Sequence, residues 1–353
     1  MIPPIDENAR RRAAEREDRL TKPAGSLGRL EEVAIDLAGM TGRLDPPLTH
    51  RVVFTLAADH GVAAEGVSAY PKEVTPQMVL NFLHGGAAIN VLARQLRARV
   101  VVADLGVDAD LPFHPELRPL KVRRGTASIT QGPAMTVDEA LQAISHGRRL
   151  VQEEMAVGLD VALTGDMGIG NTTSAAALIC ALTGLDAVDV VGRGTGVDDA
   201  GLERKRDAVR TALHVNAARI AEGPIDALAA VGGLEIAGLV GVMLEAASHR
   251  KPIVVDGFIS GAAALVAAGI APGVTGYMIA GHRSHELGHG AVLRRLGLRP
   301  LLDLDLRLGE GTGAVLALPL LDAAVNTLTH MATFDEAGVS ERQEDAIMGR
   351  TTE

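Results

Sequence analysis

Apolar residues fall along this chain in two alternating rhythms. Short runs of Val, Ile, Leu and Ala end in a polar residue, and between them lie longer segments in which apolar positions recur every three or four residues. The short runs predict strands over 51–57 (RVVFTLA), 99–105, 160–164, 252–255, 275–280 and 300–304, with a shorter one over 188–191. The longer segments predict helices over 8–20, 26–40, 75–96, 136–157, 225–232 and 315–331, and others after residues 170, 199, 234 and 258. The stretch 106–135, which carries Lys121, Arg123 and Arg124, reads as a flap or linker. Strand alternating with helix over this length predicts an α/β fold, a doubly wound and mostly parallel sheet with helices on both faces.

Sheets of that kind bind ligands outside the carboxyl ends of their strands. Here those ends carry Asp59, His60, Asp104, Asp166, Asp256, His282 and Glu310. Glu310 stands out because Gly309 and Gly311 flank it and Thr312 and Gly313 follow. Glycine on either side lets a ligand approach the backbone closely, and the carboxylate can then take a proton or bind a cation. Taken alone, the same stretch is equally an acidic turn.

The segment GDMGIGNTT puts Gly165, Gly168 and Gly170 after a strand and before a helix, and Asn171, Thr172 and Thr173 can cap that helix. Free N–H groups at such a terminus suit an anion. Neither a Walker lysine nor GxGxxG is present, so one phosphate is the expected guest. The glycine loop after Glu310 would be a second cradle for it. Arg193, Lys205 and Arg206 can face a phosphate or a carboxylate, although Arg204 and Arg206 also suit a solvated helix face. Ser68, Tyr70 and Gln77 are polar candidates for a pocket wall, while Met78, Met243 and Met278 read as core. HELGH at 285–289 matches the HExxH zinc pattern, with His285 and His289 sharing a helix face, but Gly288 interrupts it and no third ligand stands out.

Composition narrows the classes. The 353 residues are 47% hydrophobic but only 2% aromatic, with no Trp, so Ala, Val, Leu and Ile must build the core. A net charge of −10 and the absence of Lys/Arg runs argue against nucleic acid. Cys180, the sole cysteine, lies in an apolar run and excludes an internal disulfide. Residues 257–281 carry no charge, yet Ser260, Gly269, Pro272 and Gly273 break them into a buried helix, a turn and a strand rather than a membrane span. The charged N-terminal segment lacks the apolar stretch of a secretory signal, so a soluble cytoplasmic protein is expected.

KPAGSLGRLE, ADHGV, EGVSAYPKEVTPQMV, GDMGIGNTT, GRGTGVDD, VDGFISGAAAL, GHRSHELGH and LLDLDLRLGEGTGA, in this order, resemble the nicotinate-nucleotide–dimethylbenzimidazole phosphoribosyltransferase family from about residue 22 to 340. The resemblance implies transfer of phosphoribose from nicotinate mononucleotide to 5,6-dimethylbenzimidazole, giving α-ribazole 5′-phosphate and nicotinate, a step toward the lower ligand of cobalamin. It also implies a large α/β domain (48–329), a small helical domain from both chain ends (1–47 with 330–353), and a homodimer. By resemblance Glu310 is the general base. Asp166, where other members often carry Glu, and Lys205 belong to the pocket, and Ser68 and Gln77 match less closely. Gly168, Gly170, Asn171, Thr172, Gly311, Thr312 and Gly313 complete the expected substrate site. Neither metal nor cofactor is expected, because a pyridinium leaving group already activates the glycosidic bond. Alternative readings are the same chemistry on another base or a phenol, and a non-catalytic nucleotide-binding protein.

Overall fold

A computed structural model describes residues 1–340. Two compact units emerge, one of Met1–Ile5 with Pro47–Pro319, the other of Asp6–Pro46 with the described part of the chain from Leu320. The small domain was expected to resume at 330, whereas the second unit takes up most of the helix Leu318–His330. The part of that expected domain from 341 onward lies outside the described residues.

The large unit is built on six strands: β1 (Arg51–Ala58), β2 (Ala98–Gly106), β3 (Leu117–Pro119), β4 (Val161–Met167), β5 (Ile253–Val255) and β6 (Met278–Ala280). All neighbours are parallel and the order is β3-β2-β1-β4-β5-β6. The order reverses between β1 and β4, and the crevice above such a reversal is where doubly wound sheets seat their ligands. Side chains alternate across β1, which makes its two faces legible. Leu56 lies under Gly238 of the helix Leu234–Ser248, while Val53, of opposite parity, meets Gly311. One face is therefore closed by that long helix and the other by the chain around Glu310. β1 is buried from Val52 to Ala58, as a strand covered on both sides must be.

Several sequence expectations are corrected. Residues 187–190 form a helical turn, not a strand, because Asp186 caps it by accepting from the Val188 amide at 2.9 Å. The run at 300–304 forms no strand, and its one pairing is the bridge Leu302–His282. Its alternating aspartates face solvent, and Asp305 takes a left-handed φ of 55° that breaks extension. The helix expected over 75–96 is two helices, Val74–Leu83 and Ala88–Gln95, divided at Gly85 with φ 73°. The stretch read as a flap contributes β3, an edge strand where Pro119 is tolerated. The uncharged segment 257–281 resolves into a buried helix Phe258–Ile270, the 3₁₀ turn Pro272–Tyr277 and β6.

In the small unit the helices Glu7–Arg19 and Arg29–Thr41 lie together, with Lys22 buried in the turn between them. Its Nζ sits 3.1 Å from Glu17 and 2.8 Å from Glu31, so one ammonium bridges two carboxylates.

Candidate active site

A cavity of about 510 Å³ opens at the carboxyl end of the sheet, with Asp166, Asn171, Thr172, Asp256, His282 and Glu310 in its wall. Glu310 is 5% exposed and holds a left-handed backbone, φ 64°, between Gly309 at 83° and Gly311 at 97°. A side chain bearing residue rarely adopts that conformation without being held there. Three contacts hold it. Thr55 of β1 donates to the Glu310 carbonyl at 3.1 Å, the Glu310 amide donates to the Asp166 carbonyl at 3.3 Å, and carboxylate Oε2 accepts from the Ile89 amide at 3.1 Å. Gly165 in β4 makes room for this. A Cβ there would stand 2.3 Å from the Glu310 carbonyl oxygen, so the loop rests directly on the sheet. Burial raises the carboxyl pKa of Glu310, the Ile89 amide opposes the rise, and the negative charge of Asp256 adds to it.

Asp166 closes β4. Burial drives its pKa well above the usual carboxylate range, and the charges of Asp256 and Glu235 push it further, against a 2.9 Å hydrogen bond donated by Asn171. Asp256, just beyond β5, is also buried and raised, first by burial, while His282 and the amides of Ala314, Gly313 and Gly311 pull the other way. That observation revises the role of the glycine loop. Ala314, which follows that loop, donates its amide to Asp256 at 2.9 Å, and neither Gly311, Thr312 nor Gly313 lines the cavity. Thr312 donates its hydroxyl to Gly309 at 2.8 Å, tightening the turn beneath Glu310.

The other loop does face the cavity. Gly168, Asn171 and Thr172 line it at the start of the helix Asn171–Thr183, while Gly170, with φ 93°, lies behind and caps that helix. Lys205, buried on the helix Asp199–Val215, donates to the Thr172 hydroxyl at 3.0 Å. Burial lowers its pKa to about 8, with Glu286 opposing the fall. Lys205 is not itself in the cavity wall; its ammonium stands behind the Thr172 hydroxyl, which is, so a hydroxyl and a helix N-terminus backed by a cation face the cavity on one side.

Ser68 and Gln77 are not in the cavity wall. Ser68 is 3.2 Å from the hydroxyl of Thr195, which does line it, so Ser68 stands one layer out. Gln77 is exposed, whereas Val74 and Met78 on the same helix line the cavity. Met78 is therefore a wall residue and not only core. Arg193 binds Asp199 and the Val197 carbonyl, and Arg206 binds Glu203. The zinc geometry fails. The helix begins only at His289, so exposed His285 and buried His289 share no face, and His289 Nδ1 accepts from the Ser284 amide at 2.9 Å. Burial beside His282 lowers the His289 pKa to about 3, and among the described residues no cluster of three donors could hold a metal.

A family model described as a phosphoribosyltransferase matches residues 2–339. The chain belongs to the nicotinate-nucleotide–dimethylbenzimidazole phosphoribosyltransferase family. Its similarity to the family member from Chloroflexus aggregans is 59% identity over 343 residues, covering 97% of both chains. Similarity to the Geobacter metallireducens member is 52% identity, covering 96% of both. The solved structure of the Thermus thermophilus member superimposes with a TM-score of 0.91 at 53% identity, over 96% of this chain and all of that one. As in that phosphoribosyltransferase fold, helices surround a parallel sheet, and in this chain the carboxylates gather where the strand order reverses.

Proposed function

We propose that the protein transfers the phosphoribosyl group of nicotinate mononucleotide to 5,6-dimethylbenzimidazole, releasing nicotinate and forming α-ribazole 5′-phosphate. One observation carries the reading: a buried carboxyl, Glu310, held at the cavity wall by a strained backbone and three hydrogen bonds. One ring nitrogen of the incoming base attacks C1′, the bond to the nicotinate pyridinium nitrogen breaks, and the proton on the second ring nitrogen passes to Glu310. Leaving-group charge needs no further activation, so what the protein supplies is removal of that proton and alignment. Attack on the face opposite the leaving pyridine inverts C1′ from β to α.

Lys205, Thr172 and the N-terminus at Asn171 are the proposed seat of the phosphate, and Asp166, held by Asn171 and with its pKa raised by burial, lies beside it. Gly168 lies against that seat and Gly170 supports it from behind, while Gly311, Thr312 and Gly313 shape the turn that carries Glu310. Ser68 and Gln77 act at most through the wall residues beside them.

The wall formed by Tyr70, Val74, Met78, Phe258 and Leu308 is apolar and contains a flexible methionine. Such a wall favours planar acceptors of more than one shape, so other benzimidazoles, purines or phenols are secondary acceptors in this reading. We place the enzyme in the cytoplasm as a homodimer that binds neither nucleic acid nor membrane, in line with its net charge of −10. The helix Thr312–His330 is long and apolar enough by composition to cross a bilayer, but 56% of its apolar window is buried within the fold, as in a core helix.

Incubation with nicotinate mononucleotide and a panel of bases, with chromatography of the products, tests the reading. Stoichiometric nicotinate and an α-linked ribotide are expected. Release of nicotinate with no base-dependent product would sink it.

A further inference from the structure

Behind the cavity lies a buried polar chain in which no member touches the cavity. His60, the second residue after β1, places Nε2 2.7 Å from Glu235 Oε1 and Nδ1 3.0 Å from the Ser174 hydroxyl. Both side chains of the His60–Glu235 pair are wholly buried, as is Ser174, and the second Glu235 oxygen has no hydrogen-bond partner. Apolar residues of the same volume usually serve a core at least as well as such a pair, so packing gives no account of it. What surrounds the ring does. A Cβ on Gly168 would stand 3.4 Å from the imidazole, one on Gly170 3.3 Å from the His60 Cβ, and one on Gly233 only 2.3 Å from Cε1. The imidazole is thus wedged against the turn that opens the helix Asn171–Thr183. Its hydrogen bond to Ser174 reaches the first turn of that same helix. From the other side, Thr75 accepts from the Ile169 amide at 3.1 Å.

We propose that His60, clamped between Glu235 and Ser174, is a positioning residue that fixes the turn from Gly168 to Gly170 in the shape that receives the nucleotide's phosphate. The inference rests on the proposed seating of the phosphate at this turn. Glu235 does two things here. It anchors the imidazole, and it adds negative charge that favours the protonated form of Asp166 at the end of β4. It sits in the first turn of the helix Leu234–Ser248, where a carboxylate is favoured by the helix dipole.

Steady-state kinetics of Glu235→Gln, His60→Gln and Ser174→Ala provide the test. His60→Gln keeps a donor toward Glu235 and loses the link to Ser174, while Ser174→Ala removes only a hydroxyl. The expected result is a KM for nicotinate mononucleotide raised about tenfold, the effect of losing one positioning hydrogen bond. The inhibition constant of inorganic phosphate should rise in parallel. kcat and the KM for the base should stay within about twofold, the signature of lost ground-state binding. A purely structural network would lower the melting temperature and leave both constants of the folded enzyme unchanged, and that outcome overturns the proposal. So does an equal fall in kcat and kcat/KM. Ser174→Ala carries the test if Glu235→Gln does not fold. The wild-type enzyme assayed alongside separates the two readings: absence of transfer there defeats the proposed reaction, while phosphate affinity, measured by calorimetry, still reports on the turn.

Discussion

Two regions of this molecule bury ionisable side chains, and they do so on opposite terms. In the small unit, Lys22 lies between Glu17 and Glu31 at 3.1 and 2.8 Å, so one ammonium is shared by two carboxylates, and burial still raises the Glu17 pKa against its pull. At the cavity, Asp166, Asp256 and Glu310 come together without an equivalent cation, and each has a raised pKa with burial as the first cause. A matched cluster fixes a turn and does no chemistry. One without its own cation has carboxyls whose proton affinity is raised toward the working range, where they can exchange protons with a substrate. Burial alone does not separate the two kinds of site; the presence of a bridging ammonium does.

The sharpest way to break the comparison is Glu310→Gln. It keeps the shape and the acceptor for the Ile89 amide but cannot take a proton, so kcat should fall by about 10³-fold while the nucleotide KM changes little. Wild-type-like turnover would remove Glu310 from the mechanism. Next in size, Lys22→Met strands two buried carboxylates and should cost about 3–5 kcal/mol in denaturant unfolding. If the small unit is as stable afterwards, the matched cluster is not what holds its turn. The smallest effects are those of pH. Glu310 must be ionised to act, and its pKa is raised, so kcat should fall on the acid side with a midpoint above the ordinary 4.5. Lys205 has a lowered pKa, so its charge is lost as pH climbs through about 8, well before the ordinary 10.5, and the nucleotide KM should rise there. Lys205→Ala should abolish that alkaline rise; its persistence would assign the limb to another group.

Much of this was legible in the chain. Each strand end that gathers at the cavity closes an apolar run, and the glycines around Glu310 mark the turn. What stayed hidden was mostly non-local. His60 and Glu235 lie 175 residues apart, and no spacing announces that they meet. The loop 311–313 looks like an anion cradle in one dimension, and only the fold shows that it lies outside the cavity wall, with the next amide, of Ala314, given to Asp256. Gln77 is a different case. Val74, Gln77 and Met78 stand at i, i+3 and i+4, so the helical period alone does not exclude Gln77, and only the structure shows it exposed while the other two line the cavity. The run at 300–304 misled because it follows the end of β6 through only a few backbone hydrogen bonds, Leu301 to Ala280 and Leu302 to Gly281, before the left-handed Asp305 ends the extension, so a single bridge forms.

The glycine within β4 has a consequence for adaptability. With the peptide of residue 310 seated on the Cα of Gly165, the proton acceptor has the stiffness of a central parallel strand and not of a surface turn. One wall of the cavity then behaves as an anvil. Accommodation of acceptors of different girth falls to the lining side chains outside that loop, Tyr70, Val74 and Met78, so the enzyme can broaden its choice of partner by changing those residues alone, with its chemistry left undisturbed.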